Sequence, residues 1–119
     1  MLKVIIADDE VKVCKLIHQL VNWESMGLEV SAIVNDGEKA LEAIKEIRPD
    51  IVITDIRMPG YDGIELIRRA KEILPKVYFI IISGYSQFEY AQNAIKYGVE
   101  NYLLKPIKKK ELINTLNKI

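Results

Sequence analysis

The chain has few of the features that mark secreted, metal-cluster or membrane proteins. Cys14 is the single cysteine among 119 residues, which excludes an internal disulfide and a cysteine metal cluster and is typical of a reducing compartment. No apolar stretch approaches the roughly 20 residues that a membrane-spanning helix requires. Basic and acidic side chains, 17 of each, cancel, so the bulk charge indicates neither nucleic acid nor a membrane surface as a direct partner. We therefore expect a soluble, cytoplasmic protein.

The length of the chain predicts one domain, residues 1–119, built around a single hydrophobic core. Short aliphatic runs alternate with stretches of helical spacing, and prolines or glycines separate many of them. A helical pattern follows each run, and the fourth helix is expected to begin near Ser86 and to close at Gly98. The predicted strands cover residues 4–7, 28–34, 51–54, 79–82 and 102–104.

This alternation predicts a doubly wound α/β fold with a five-stranded parallel sheet and five helices on its two faces. Aliphatic runs without polar residues between them are typical of strands that are buried on both faces. Right-handed connections favour the strand order 2-1-3-4-5, a flavodoxin-like arrangement whose switch point lies between strands one and three. Such sheets bind ligands at the carboxyl ends of their strands.

Four of the predicted strands stop at residues that can take part in phosphoryl chemistry. Because the carboxyl ends of parallel strands lie at the same edge of a sheet, we expect these side chains to meet there. They are Asp8 and Asp9 after the first strand, Asp55 after the third, Ser83 after the fourth and Lys105 after the fifth.

The three acids predict a cation site, since two carboxylates about 4 Å apart repel by roughly 4 kcal/mol at an effective dielectric near 20. Ligands that are all oxygen favour a hard ion such as Mg²⁺. An ion held by Asp9 and Asp55, with Asp8 acting through a bound water, would screen an incoming phosphoryl group. The Asp55 carboxylate would then attack phosphorus, and Lys105 and Ser83 would contact two of the phosphoryl oxygens.

Each of these residues has an ordinary structural interpretation when it is taken alone. Asp8 or Asp9 could cap the first helix, and Asp55 could be a turn residue before a loop rich in proline and glycine. Lys105 could be solvated and Ser83 could begin a loop. Their joint placement favours function, because helix caps do not explain an amine and a hydroxyl at the same sheet edge.

Over essentially its whole length the chain resembles the receiver domain of bacterial two-component response regulators. The resemblance implies that Asp55 is the phosphoacceptor and that Lys105 precedes a cis peptide bond. It also implies a magnesium ion on Asp8, Asp9, Asp55 and the backbone carbonyl of Arg57. The motifs that carry it are Asp8-Asp9-Glu10, Asp55 with Met58-Pro59 and Asp62-Gly63, Ser83-Gly84, and Lys105-Pro106.

Further roles follow from the same resemblance. The phosphoryl donor would be a sensor histidine kinase. Ser83 and Tyr102 would form the switch, in which the Tyr102 ring turns inward when the Ser83 hydroxyl moves toward the phosphoryl group. The phosphorylated domain would form a homodimer, or dock an effector, through its fourth helix, fifth strand and fifth helix.

A narrower resemblance is carried by residues 83–91 and by Trp23-Glu24 ahead of the second strand. These stretches are similar to receivers joined to a DNA-binding domain of the AraC helix-turn-helix type. We therefore expect a fragment of a longer transcription factor, which would contact DNA only through a domain outside this chain. A stand-alone receiver that acts by protein–protein contact is the alternative.

Two other classes of protein share parts of the pattern. Small phosphohydrolases of the haloacid dehalogenase type also use an aspartate nucleophile, but they need a second acid two residues later, where this chain has Arg57. A nucleotide-binding or flavodoxin-like module would need a glycine-rich phosphate loop after the first strand, and the chain has none there. The receiver hypothesis accounts for more of the residues than either class.

Overall fold

The computed structural model describes residues 1–84 and 101–119, and within these residues the chain forms five strands and four α-helices. The strands are β1 (Leu2–Ala7), β2 (Leu28–Val34), β3 (Ile51–Asp55), β4 (Tyr78–Ser83) and β5 (Asn101–Leu104). The helices are α1 (Val11–Leu20), α2 (Gly37–Ile47), α3 (Gly63–Ile73) and the C-terminal helix (Lys109–Asn117). The helix predicted from Ser86 to Gly98 lies outside the described residues.

All five strands are parallel and lie in the order β2-β1-β3-β4-β5, which confirms the predicted fold class. Successive side chains of a strand point to opposite faces of the sheet. In β1, Val4 and Ile6 therefore pack on one face, whereas Ile5 and Ala7 pack on the other. Both faces are buried, which explains why the strands read as unbroken aliphatic runs.

The four α-helices of residues 1–84 and 101–119 cover the two faces of the sheet in pairs. Cys14 and Ile17 of α1 share one core with Leu112 and Leu116 of the C-terminal helix. The other core contains the buried residues of α2 and α3, which recur at helical spacing: Ala40, Leu41 and Ile44, and Leu66, Ile67 and Ala70. The lone cysteine is thus a core residue, as its position in the helical stripe indicates.

A β-bulge changes the facing of residues along β2. Val4 pairs with Val30, but the next residue, Ile5, pairs with Ala32, so one residue of β2 is skipped. An extra residue moves the following side chains to the opposite face. Val30 accordingly packs against the α1 side of the sheet, whereas Ala32 packs against the α2 side.

The helices α2 and α3 begin in the same way, with an aspartate cap followed by a buried glycine. The Asp36 side chain accepts a hydrogen bond from the Lys39 N–H at 2.7 Å, and Asp62 accepts one from Glu65 at 2.8 Å. Both helix starts lie at the carboxyl edge of the sheet. No helix in residues 1–84 and 101–119 has the length and apolar character to cross a membrane.

Candidate functional site

The carboxyl edge of the sheet brings together four of the residues predicted to act there. Asp8 follows β1 directly, Asp55 ends β3, Ser83 ends β4 and Lys105 follows β5. The Lys105 N–H donates to the Ser83 carbonyl at 2.7 Å, which extends the β4–β5 pairing to the site. Asp8, Asp55 and Ser83 are buried, and the Lys105 side chain is 23% exposed.

Lys105 supplies the positive charge of this edge. Its ammonium nitrogen lies 3.1 Å from Asp55 Oδ2, 3.4 Å from Asp8 Oδ2 and 3.6 Å from Glu10 Oε1. Burial by itself would lower the pKa of Lys105, but the negative charges of Asp55 and Asp8 outweigh it and raise the pKa above its usual value. Lys105 therefore stays protonated at neutral pH.

The Asp8 carboxylate is in an electrostatically unfavourable environment. Its Oδ1 accepts a hydrogen bond from the Glu10 N–H at 2.9 Å, but its buried Oδ2 has no hydrogen-bond partner among the described residues and only the ion-pair contact with Lys105. Burial raises the pKa of Asp8 from 3.8 to about 6, and the charge of Asp55 adds to this effect. The Glu10 N–H and the Lys105 charge oppose it. A buried carboxylate oxygen without a donor is suited to a metal ion.

The Asp55 carboxylate is held from two sides. Its Oδ1 accepts a hydrogen bond from the Ile56 N–H at 2.7 Å, and its Oδ2 accepts one from Lys105 at 3.1 Å. The Thr54 hydroxyl donates to the Asp55 backbone carbonyl at 2.9 Å. These contacts orient the side chain at the end of β3, where its oxygens face Lys105 and Asp8.

Four carboxylates form one acidic cluster at this edge. One oxygen from each lies within 4.8 Å of the others, and the cluster could hold a metal ion. Asp8 and Asp55 are its buried members and Asp9 and Glu10 its exposed ones. A set of carboxylate oxygens that is open on one side suits a hard cation that keeps part of its water shell. The residues present therefore fit the predicted ion.

Ser83 and Tyr102 are in direct contact. The Ser83 hydroxyl and the Tyr102 hydroxyl share a short hydrogen bond, and Ser83 Oγ also lies 3.2 Å from the Gly84 carbonyl. Tyr102 is half-buried and packs against the core between the sheet and α2 and α3. The aromatic ring thus already lies beside the hydroxyl with which it was predicted to move.

The loop of residues 56–62, which we call the acceptor loop, connects β3 to α3. Arg57 has an exposed side chain, and its neighbour Met58 is buried in the core. The Gly63 N–H donates to the Ile56 carbonyl at 2.7 Å and closes the loop at its base. On the other side of the site, the Lys105–Pro106 peptide bond is cis, as the resemblance implies.

Two residues of the site were given no role from the sequence. Glu10 contributes a carboxylate to the acidic cluster, and its place directly after Asp8-Asp9 was the available signal. The Asn35 side-chain amide donates to the Asp8 carbonyl at 2.9 Å. Asn35 follows the last residue of β2, so the rule that strand ends share one edge would also have found it.

The chain matches a known protein family over most of its length. The family of response regulator receiver domains matches the chain over residues 4–117. The uncharacterized transcriptional regulatory protein YesN of Bacillus subtilis is 43% identical over 119 residues, which are 100% of this chain and 32% of YesN. The transcriptional regulatory protein HptR of Staphylococcus aureus is 37% identical over 107 residues, 90% of this chain and 42% of HptR. The chain spans less than half the length of these relatives.

Solved structures lead to the same group. The receiver domain of AraT, a response regulator from Geobacillus stearothermophilus, has a TM-score of 0.95 and 41% identity, over 98% of this chain and 91% of that chain. A response regulator receiver domain protein from Clostridium thermocellum has a TM-score of 0.88 and 31% identity, over 99% of this chain and 93% of that chain. With a family match that runs almost from end to end, the chain belongs to the response regulator receiver domains.

Proposed function

We propose that this domain accepts a phosphoryl group on Asp55 from the phosphohistidine of a sensor histidine kinase, in a reaction that requires Mg²⁺. The observation that carries the proposal is the geometry around Asp55. One carboxylate oxygen lies 3.1 Å from a lysine ammonium, and the same carboxylate belongs to a four-acid cluster that suits a divalent ion. A nucleophile, a cation site and a phosphate-binding cation thus occupy one edge of the sheet.

The metal would be held by the carboxylates of Asp8, Asp9 and Asp55 and by the backbone carbonyl of Arg57. Support for a metal here comes from Asp8, whose buried Oδ2 has no hydrogen bond among the described residues. When bound, Mg²⁺ supplies the positive charge that lets a negatively charged phosphoryl group approach three carboxylates. Glu10 lies at the exposed side of the cluster, where its carboxylate could accept hydrogen bonds from water molecules of a bound ion.

The side chains of the site then divide the reaction between them. An Asp55 oxygen attacks phosphorus, the phosphorus–nitrogen bond of the phosphohistidine breaks, and the imidazole leaves. Lys105, which is protonated at the start of the reaction, exchanges its contact with the Asp55 carboxylate for one with a phosphoryl oxygen. The Ser83 hydroxyl donates a hydrogen bond to a second phosphoryl oxygen. The domain carries a phosphoryl group but does not turn over a substrate.

Ser83 and Tyr102 would convert this modification into a change of shape. To reach the phosphoryl group, the Ser83 hydroxyl must give up its hydrogen bond with the Tyr102 hydroxyl. The Tyr102 ring then moves with it, and β5, which carries Tyr102, presents a different surface. A homodimer through the predicted fourth helix, β5 and the C-terminal helix would read this change. The fourth helix lies outside the described residues.

The output that we propose is transcription, through an AraC-type DNA-binding domain outside this chain. The support is that YesN and HptR are transcriptional regulatory proteins and that both are more than twice as long as the matched region. Residues 1–119 would then be the single receiver domain of such a protein, acting in the cytoplasm. A receiver that acts through protein contacts alone remains the alternative.

The test is the intact mass of the protein after incubation with Mg²⁺ and acetyl phosphate. We expect one added phosphoryl group in the wild type, and none when Mg²⁺ is removed or when Asp55 is changed to Asn. Asp50→Asn is the matched control, because Asp50 lies at the opposite end of β3 and should leave phosphorylation intact. A wild type that gains no mass under any condition would contradict the proposal and favour the contact-only receiver.

A further inference from the structure

We infer that Gly37, the first residue of α2, is a positioning residue for the phosphorylation of Asp55. Because Gly37 has no side chain, the acceptor loop, residues 56–62, can pack directly against the N-terminus of α2. The inference rests on the proposed phosphorylation of Asp55, and it adds a requirement for a residue that touches neither the phosphoryl group nor the metal.

The main observation is the absence of any room for a side chain at Gly37. A Cβ atom built there would lie 1.9 Å from the Tyr61 carbonyl oxygen and 2.6 Å from both the Tyr61 carbonyl carbon and nitrogen. All three are backbone atoms, so no rotamer change can relieve the contact. Gly37 is buried and its φ lies outside the left-handed region, so the backbone conformation does not call for glycine. The requirement for glycine comes from the loop that lies against it.

Two further contacts hold the loop on the same helix end. The Gly37 N–H donates to the Pro59 carbonyl at 2.9 Å, which satisfies one of the free donors at the start of α2. Gly60 has a φ of +80°, and a Cβ there would lie 3.1 Å from Glu38 Cγ and 3.3 Å from the Glu38 nitrogen. Glycines on both sides thus allow the loop and the helix to touch backbone to backbone.

The N-terminus of α2 is a rigid support for the acceptor loop, because contacts outside the loop hold this helix end in place. The Asp36 side chain caps α2 through its hydrogen bond from the Lys39 N–H at 2.7 Å. Ala40, Leu41 and Ile44 anchor the helix in the core. When an added side chain and this helix end compete for space, the loop is the part that must move.

A displaced loop would reach the reacting atoms within a few residues. The Ile56 N–H at the start of the loop holds Asp55 Oδ1 at 2.7 Å, and Arg57 is the expected carbonyl ligand of the metal. The base of the loop is tightly packed, since a Cβ at Gly63 would lie 2.7 Å from the Asp55 carbonyl oxygen. Misplacement of catalytic groups by about 1 Å can cost about 100-fold in rate.

The experiment measures phosphorylation rates by intact mass, with acetyl phosphate as the donor, over a range of Mg²⁺ concentrations. For Gly37→Ala we expect a higher Mg²⁺ concentration at half-maximal rate and a maximal rate lower by about 10-fold or more. Urea unfolding of the same sample reports whether the variant is folded. A variant with a purely structural defect would lose stability without a change in its Mg²⁺ dependence.

Gly27→Ala is the matched control. Gly27 has a φ of +73° and nothing within 4 Å of a built Cβ, so alanine there strains the backbone far from the site. This strain should lower the stability measured by urea unfolding, and the Mg²⁺ dependence should stay that of the wild type. Equal rates and equal Mg²⁺ dependence in Gly37→Ala and the wild type would overturn the inference, as would an equal change in Gly27→Ala.

If Gly37→Ala does not fold, the contact is tested from the loop side. Gly60→Ala should slow phosphorylation, both by strain at a φ of +80° and by the contact of its methyl group with Glu38. Adding Glu38→Ala should restore the part of the rate that is lost to the contact with Glu38 Cγ. No restoration in the double variant would overturn the inference. A wild type that takes up no phosphoryl group refutes the proposed function instead, so the two failures are distinguishable.

Discussion

The ammonium group of Lys105 lies 3.1 Å from Oδ2 of Asp55, a residue 50 positions earlier in the chain. The same nitrogen is within 4 Å of Asp8 Oδ2, so one cation offsets two buried carboxylates. The three side chains are therefore coupled: a change in any one alters the electrostatic energy of the other two. Because of this coupling, the free energy of unfolding of the metal-free domain depends directly on the contacts within the site.

Lys105→Met is expected to destabilise the metal-free domain at pH 7 by about 1–3 kcal/mol, because it leaves the buried carboxylates of Asp8 and Asp55 without their cation. The pKa of Lys105 is raised in the folded state, so its contribution is fully present at pH 7 and is lost only above its unfolded pKa of 10.5. Adding Mg²⁺ should recover part of the loss. Urea unfolding with and without Mg²⁺ measures both effects. Lys108→Met, at an exposed lysine, is the control, and equal losses in the two variants would contradict the interpretation.

Asp8→Asn is expected to have the opposite effect and to stabilise the metal-free domain at pH 7, by about 1–3 kcal/mol. The folded state binds the Asp8 proton more tightly than the unfolded state does, with a pKa of about 6 against 3.8. The contribution of Asp8 to wild-type stability therefore falls as the pH rises from about 4 to about 6, and the variant should lack this contribution. The stabilisation that Mg²⁺ confers on the wild type should also disappear. Chemical denaturation at pH 4 and pH 7 tests this. A variant that is less stable than the wild type at pH 7 would contradict the unfavourable environment of the Asp8 carboxylate.

We expect a second, independent effect of pH on stability from Glu65, at the start of α3. Hydrogen bonds from Arg68 and Arg69 lower its pKa from 4.5 to about 2. Since the folded pKa is depressed, the stability that Glu65 contributes is present above pH 4.5 and is lost as the pH falls toward 2. The Glu65→Gln variant should therefore be less stable than the wild type at pH 7. The difference in stability between the two proteins should be smaller at pH 3. Thermal unfolding at both values measures this, with Glu46→Gln on the exposed side of α2 as the control. A constant difference at the two pH values would exclude the effect.

Tyr102→Phe tests the proposed switch. Removal of the hydroxyl that bonds Ser83 should lower the stability of the unmodified domain by about 1 kcal/mol. Beryllofluoride with Mg²⁺, which mimics an aspartyl phosphate, should then stabilise the variant more than the wild type, because the Ser83 hydroxyl no longer has to leave Tyr102. Thermal unfolding with and without the mimic gives both numbers. Tyr78→Phe serves as the control, since Tyr78 is 38% exposed at the start of β4. A smaller response to the mimic in Tyr102→Phe would count against the proposed exchange.

Most of the fold follows from local patterns in the sequence. Aliphatic runs such as 51–54 lie in strands that are buried on both faces, and helices follow β1, β2, β3 and β5 as the alternation of patterns predicts. The bulge in β2 was not predictable, because the spacing from Leu28 to Val34 is regular and only the pairing with β1 reveals the skipped residue. For a different reason, no role was assigned to Glu10 or Asn35 from the sequence. The rule that strand ends converge applies to them, but their side chains also suit a helix start or a turn.

The sequence alone determined which residues end the strands, and hence that two acids, a third acid, a hydroxyl and an amine share one edge. Alternation of strands and helices is a local property, and parallel strands place their ends together in any order of pairing. Only the tertiary structure decided which atoms meet. It brought the Lys105 ammonium nitrogen to 3.1 Å from Asp55, left one Asp8 oxygen without a donor among the described residues, and seated the Tyr61 backbone on Gly37. Such distances depend on how whole helices and strands pack across the core, which no short stretch of sequence encodes.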